Sequence, residues 1–260
     1  MTLTAVPRVP VAEVPPPLSL RRRALLVCGW IGPAVIAVAF AGWLIAGVLP
    51  FPLGPDDSES KVVEFYAGGM HVVLGIGLAT IGVSLLSPLV AAISHLMDTG
   101  EPGARLVSLV QLVSGTVTAV LLFVPMLIMA IIAFRPERDP ELTVMLNDLA
   151  WLLFITPIMP FIIQNLAVAA SALFDDASPF PRWMGYLNCW IAFTFSFDVL
   201  ALVVHRGPFA WNGILIFWLA LTTYSVFLLV MGLFVRHQAL LPEDDDAPAT
   251  SADLVGEVVQ

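Results

Sequence analysis

Residues 104–133 read ARLVSLVQLVSGTVTAVLLFVPMLIMAIIA and carry a single charge, Arg105. A helix on the surface of a soluble protein is apolar along one stripe, whereas this run is apolar all round. It is longer than the about 20 residues that cross a hydrocarbon core of roughly 30 Å. In lipid an α-helix satisfies its own backbone N–H and C=O groups without water. The stretch therefore predicts a transmembrane helix, and the chain on either side repeats the pattern. Further apolar runs lie at 24–49, 62–90, 145–173, 184–204 and 211–235. The segments between runs, PFPLGPDDSES, DTGEPGA, RPERDPE, DDASPFP and HRGPF, are rich in turn and breaker residues.

Composition agrees. Hydrophobic residues make up 59% and charged residues 12% of the 260, against about 45–50% and about 25% in soluble domains. The expected class is all-α, a polytopic membrane helix bundle of six transmembrane helices occupying 24–237. Residues 1–23, with VPRVPVAEVPPP, read as a disordered proline-rich tail, and 238–260, with EDDD at 243–246, as a disordered acidic tail. Arg21, Arg22 and Arg23 precede the first run, which is too long for the 7–15-residue apolar core of a signal peptide. Seven of the 11 basic residues (Arg8, Arg21, Arg22, Arg23, Arg105, Arg182 and Arg236) fall on the side of the termini, against Lys61, Arg135, Arg138 and Arg206 opposite. This bias predicts both termini in the cytoplasm. A bacterial inner membrane is the expected location.

The net charge of −9 comes from acids in loops and in the tail. No basic stripe exists, which argues against a nucleic-acid partner. The expected partners are the lipid bilayer and a small amphiphilic ligand, with a homo-oligomer or a partner membrane subunit left open. Cys28 and Cys189 lie inside apolar runs and read as buried free thiols. No metal and no cofactor is expected: no CxxC, P-loop, GxSxG, HExxH or GxGxxG in strand-to-helix context occurs. His71 and His205 belong to one side of the membrane, His95 and His237 to the other, which disfavours haem.

Polar residues inside the runs carry the remaining information, because a charge at the bilayer centre costs about 2.5–3.5 kcal/mol and usually faces the bundle interior. Treated as one helix, 62–90 places Glu64, Gly68, His71, Gly75 and Gly82 on one face. Asp198 and His205 share a face of the fifth helix with the same spacing. If the second and fifth helices are neighbours, two carboxylate–histidine pairs form. The glycines read as a seam of close helix packing.

The fourth run contains LNDLAWLLFITPIMPFIIQN at 146–165. Asp139 should cap this helix, with Pro140 at its first position and Glu141 in its first turn. Pro157 and Pro160 should kink it and free the carbonyls of Leu153 and Thr156, for which Gln111, Thr194 and Ser196 are candidate donors. A broken helix at membrane depth points to a binding site in transporters. Arg182, Trp183 and Trp211 read as interface anchors.

Candidate ligand-binding or proton-coupling residues are Glu64, His71, Asn147, Asp148, Gln164, Asn165, Asp198 and His205. Three functions fit them. One is binding, with translocation, of a small amphiphilic or weakly charged molecule through a polar cavity in the outer half of the bundle, coupled to protons. The others are an acid–base enzyme acting on a lipophilic substrate, and a non-catalytic subunit of a larger complex.

Overall fold

The computed structural model describes residues 19–241. The expected tails lie outside this range, apart from a few residues that extend the terminal helices. The described residues are helical and loop, with no strand among them. Among the described residues, six helical spans are long and apolar enough to cross a membrane: Leu20–Ala46, Met70–Met97, Ala104–Phe134, Pro140–Phe174, Arg182–Leu202 and Ile214–Leu240. They present large apolar side chains outward along their length, among them Leu44, Ile81, Leu106, Val113, Ile131 and Trp190. Apolar surface on that scale requires a cover, and these spans are compatible with an integral, multi-pass membrane protein.

The first span is one helix, α1 (Leu20–Ala46). Ser19 starts it, its hydroxyl accepting from Arg22 N at 3.2 Å, so the three arginines form the first turn. The second run is not one helix. A short helix, α2 (Glu59–Tyr66), ends ahead of the span, and α3 (Met70–Ser84) and α4 (Leu86–Met97) form the span itself. The reason is local: Gly69 holds a φ of 93°, in the left-handed region that glycine enters at little cost. Glu64 and His71 therefore sit on different helices, and the expected shared face does not exist.

The third span is α5 (Ala104–Phe134). The fourth is two half-helices, α6 (Pro140–Ile155) and α7 (Met159–Phe174), rather than one kinked helix. Asp139 caps α6 as expected, its carboxylate accepting from Glu141 N at 3.0 Å and Leu142 N at 3.4 Å. Pro160 falls in the first turn of α7, where its missing N–H has no helical partner to lose. The fifth span is α8 (Arg182–Phe195) continued by a 3₁₀ stretch, Ser196–Leu202. The sixth begins with a π-helical turn, Ile214–Trp218, and continues as α9 (Leu219–Leu240).

Both ends of the described chain lie on one side of the bundle. Arg22 Nε donates to the carbonyl of Ala239 at 2.7 Å. We call this the terminal side and the other the loop side. Glycine seams join α1 to both its neighbours. A methyl group on Gly42 would come 2.6 Å from the Gly75 carbonyl, and one on Gly82 would come 2.7 Å from Ala39 N. Nearer the start of α1, a methyl on Gly29 would meet Arg236 N at 2.7 Å and one on Gly232 would meet the Gly29 carbonyl at 2.7 Å. The predicted glycine face of the second span thus packs inward on α1, without Gly68, which precedes the helix. The core divides into a terminal-side cluster around Phe161, Met184 and Met231 and a loop-side cluster around Trp43, Met126 and Trp151, with Leu122 packed against both.

Candidate functional site

Three irregular segments meet at one place. In the fourth span, Thr156 turns the chain: its N–H and its Oγ1 both donate to the Leu152 carbonyl, at 2.9 and 2.7 Å. The Thr156 carbonyl then accepts from Ile158 N at 2.8 Å, so this backbone group finds its partner within the break. The donors expected from elsewhere are engaged or distant. Thr194 Oγ1 donates to the Ile191 carbonyl at 2.8 Å and Ser196 Oγ to Phe193 at 2.7 Å. These hydroxyls each reach back three residues, the spacing of a 3₁₀ turn, and compete with the α-helical ladder. They sit where α8 tightens into the 3₁₀ stretch. The π-helical turn at the head of the sixth span is the third irregularity. Such turns inside helices are frequent at functional sites.

Residues from all three line one cavity of about 70 Å³. Ile155 and Ile158 come from the break, Asp198 from the 3₁₀ stretch, and Ile216 and Phe217 from the π turn. Thr118 and Leu122 of α5 and Tyr224 of α9 also line it, with the rings of Phe154, Phe161 and Phe195 beside them. Asp198 is 2% exposed, and its Oδ1 has no hydrogen-bond partner. An unpaired carboxylate is expensive in so apolar a site. The group therefore either carries a proton or meets a cation.

Aromatic clusters flank the cavity on both sides. Towards the loops, Phe217 lies 5.8 Å from Trp43 and 5.8 Å from Trp151, and Trp43 lies 5.5 Å from Phe154. Towards the termini, Phe161 lies 4.6 Å from Phe195, 5.0 Å from Tyr224 and 5.3 Å from Phe227.

The other candidate residues fall into three groups. Asn147 and Asp148 belong to a separate loop-side network. Tyr66 Oη donates to Asn147 Oδ1 at 3.0 Å, and Asn147 Nδ2 donates to Asp148 Oδ1 at 3.4 Å. His205 lies within coulombic reach of Asp148. Burial, with the Asp148 charge adding to it, holds the Tyr66 phenol above its ordinary range, so it stays a hydrogen-bond donor. Glu64 and His71 are exposed and line a shallow groove with Lys61 and Phe65. Asp198 is buried in the other cavity, and no ion pair joins it to His71, nor Glu64 to His205, among the described residues. The expected carboxylate–histidine pairs required the second and fifth spans to be neighbours. The second packs instead on α1 and α5, and α8 packs on α7 and α9.

Gln164 and Asn165 are buried on the terminal side of the cavity, at 2% and 0% exposure. Asn165 Nδ2 donates to the Phe161 carbonyl at 2.8 Å. Of the expected anchors, Arg182 and Trp183 are exposed. Trp211 is a correction: it is 3% exposed, and its indole N–H donates to the Leu53 carbonyl at 2.8 Å, tying two loop segments together. Cys189, expected among buried thiols, faces outward. Sequence reasoning missed Thr118, Phe217 and Tyr224. Threonines and aromatics on apolar helices carry no pattern that separates a lining position from an ordinary core position.

Among the described residues, no three His, Cys, Asp or Glu side chains come together in a way that would hold a metal ion. The chain matches no protein-family model, no curated protein and no solved structure.

Proposed function

We propose that this protein is a multi-pass carrier or binding protein of a bacterial inner membrane, with its termini in the cytoplasm. Its ligand is a small amphiphilic monocation, held by Asp198 and the surrounding aromatic rings. One observation carries the reading: three separate breaks in helical regularity converge on a single buried, unpaired carboxyl. Helix irregularity at membrane depth is tolerated where it is buried or lines a cavity, and discontinuous helices form the substrate sites of many transporters.

Chemistry and size narrow the ligand. A carboxylate supplies the counter-charge, and a desolvated cation over aromatic faces gains roughly 2 kcal/mol. The cavity, at about 70 Å³, is about half the 150 Å³ that admits benzene in an apolar core. Short alkylammonium ions suit it, and drug-sized ligands do not. When no cation is bound, a proton on Asp198 removes the unpaired charge, which provides a basis for exchange of proton against ligand.

Binding is favoured over acid–base catalysis because, among the described residues, no second carboxyl and no histidine lines the cavity. The inward packing of the glycine face disfavours a role for that face as a docking surface for a larger complex.

The test is equilibrium binding of radiolabelled ethylammonium by the purified protein. Asp198→Asn should weaken binding by at least about thirtyfold, equivalent to roughly 2 kcal/mol for a buried charge pair that loses one partner. His71→Ala and Glu64→Gln should leave binding unchanged. Equal binding by the wild type and Asp198→Asn, or loss of binding with His71→Ala, would remove the proposal.

A further inference from the structure

The interface between α5 and α7 runs between two cavities. Its register is fixed at Gly115, where a methyl group would come 2.7 Å from Gln164 Nε2. Three residues along α5 from Gly115, Thr118 lines the Asp198 cavity together with Phe161 of α7. At the terminal-side end, Val107 of α5 and Ser171 of α7 line a groove of about 520 Å³ whose rim carries Glu101, Asp175 and Asp176. The two helices therefore run antiparallel with Val107 near Ser171, Gly115 beside Gln164 and Thr118 near Phe161. At 1.5 Å per residue the groove and the cavity are roughly 16 Å apart along α5.

Between them lie buried amides without adequate partners. Gln111 is 0% exposed, and neither its Oε1 nor its Nε2 has a hydrogen-bond partner. It sits one turn from Val107 and one turn from Gly115, on the same face. Asn165 Oδ1 on α7 and Asn188 Oδ1 on α8 are likewise buried and unpartnered. A structural amide in a helix bundle pairs with its neighbour across the interface, because lipid supplies no substitute. Gln111 pairs with nothing. Leucine there would remove the unsatisfied groups. Gly115 leaves room for Gln164 directly above it, and Ser114 and Thr118 continue the polar face of α5 up to the cavity.

We propose that the α5/α7 interface is the route by which water and small cations reach Asp198 from the terminal side. The acidic groove gathers cations, and the Gln111 and Gln164 amides coordinate them and their water in the narrow segment between. This route rests on the Asp198 cavity being a cation site, but it can fail separately from that site.

The experiment uses full-length protein with Cys28→Ser, Cys189→Ser and Thr118→Cys, and silver ion as a small thiol-reactive cation. The readout is the rate at which silver protects the introduced thiol from later alkylation. Adding Gln111→Leu should slow protection at least tenfold, and Gln164→Leu should do the same. Glu101→Gln with Asp176→Asn should slow it about threefold at low salt and less at high salt, since screening weakens surface charge. Gln111→Leu should also raise the melting temperature. A merely structural Gln111 would lower it on removal. Unchanged silver rates in both leucine variants would overturn the route, since they would mean arrival from the loop side, and so would a fully unreactive Thr118→Cys thiol. Ethylammonium binding by the unsubstituted protein is measured alongside. If it persists while the silver result is negative, the route alone is lost. If it is absent, the cation site itself is lost.

Discussion

The two sides of this bundle solve the same problem differently. Around α1, backbone meets backbone: Gly42 against Gly75, Ala39 against Gly82, and Gly29 against Gly232 leave no space for even one added carbon. Around Asp198, the fourth, fifth and sixth spans give up regular helix and enclose space between them. Without water, association of helices in lipid rests on close van der Waals contact. The seams supply that contact, and so the other side can hold a cavity and a buried carboxyl. A closely packed half supports an irregular one, and the one buried carboxyl of the cavity, Asp198, sits on the irregular half.

Substitutions that attack each side in turn should separate these roles. The largest effect is expected at the seam. Gly75→Val places branched carbons against the backbone of Ala46 and Gly42. Overpacking of this kind costs typically 1–3 kcal/mol and more where the obstacle is backbone. The variant should lose its monodisperse peak on size exclusion in detergent, and a melting temperature equal to that of the wild type would break the comparison. Next comes the break. Pro157→Ala with Pro160→Ala restores the missing N–H groups and should let α6 and α7 fuse, turning Ile155 and Ile158 away from the cavity. The protein should stay folded while ethylammonium binding falls about tenfold, or roughly 1.4 kcal/mol. A large drop in stability with intact binding would mean the break belongs to the scaffold. The smallest effect is expected at the loop-side network. Tyr66→Phe removes the hydrogen bond to Asn147 and should cost about 1 kcal/mol in a denaturation series, with cation binding unaltered.

The spans were legible because lipid imposes a length and an apolarity that no other environment demands. The cap on α6 was legible because Asp139, Pro140 and Glu141 act through their own backbone. The break in the fourth span was legible in position, from Pro157 and Pro160, but not in form. Thr156 and Ile158 close the turn locally, so the Thr156 carbonyl needs no distant donor. The separation of α2 from α3 was hidden by two glycines inside an apolar run, where close packing and a left-handed turn look alike. Asp198 could be singled out as a charge at depth, but its surroundings could not. Spacing along a helix tells which residues share a face; it does not tell which helix lies opposite. That gap led to the expected pairing with His71, and it concealed the convergence of Thr118, Phe217 and Tyr224.

The hydrogen bond from Arg22 to Ala239 spans 217 positions of the chain, and this distance has a consequence in time. At about 5–20 residues per second during synthesis, α9 emerges on the order of ten to forty seconds after α1. Through that interval the Gly29–Gly32 side of the first helix has lipid or an insertion factor as its neighbour. Closure of the bundle is thus a late event, and a ribosome stalled before residue 219 would leave in the membrane a chain whose first helix still lacks half of its mate surface.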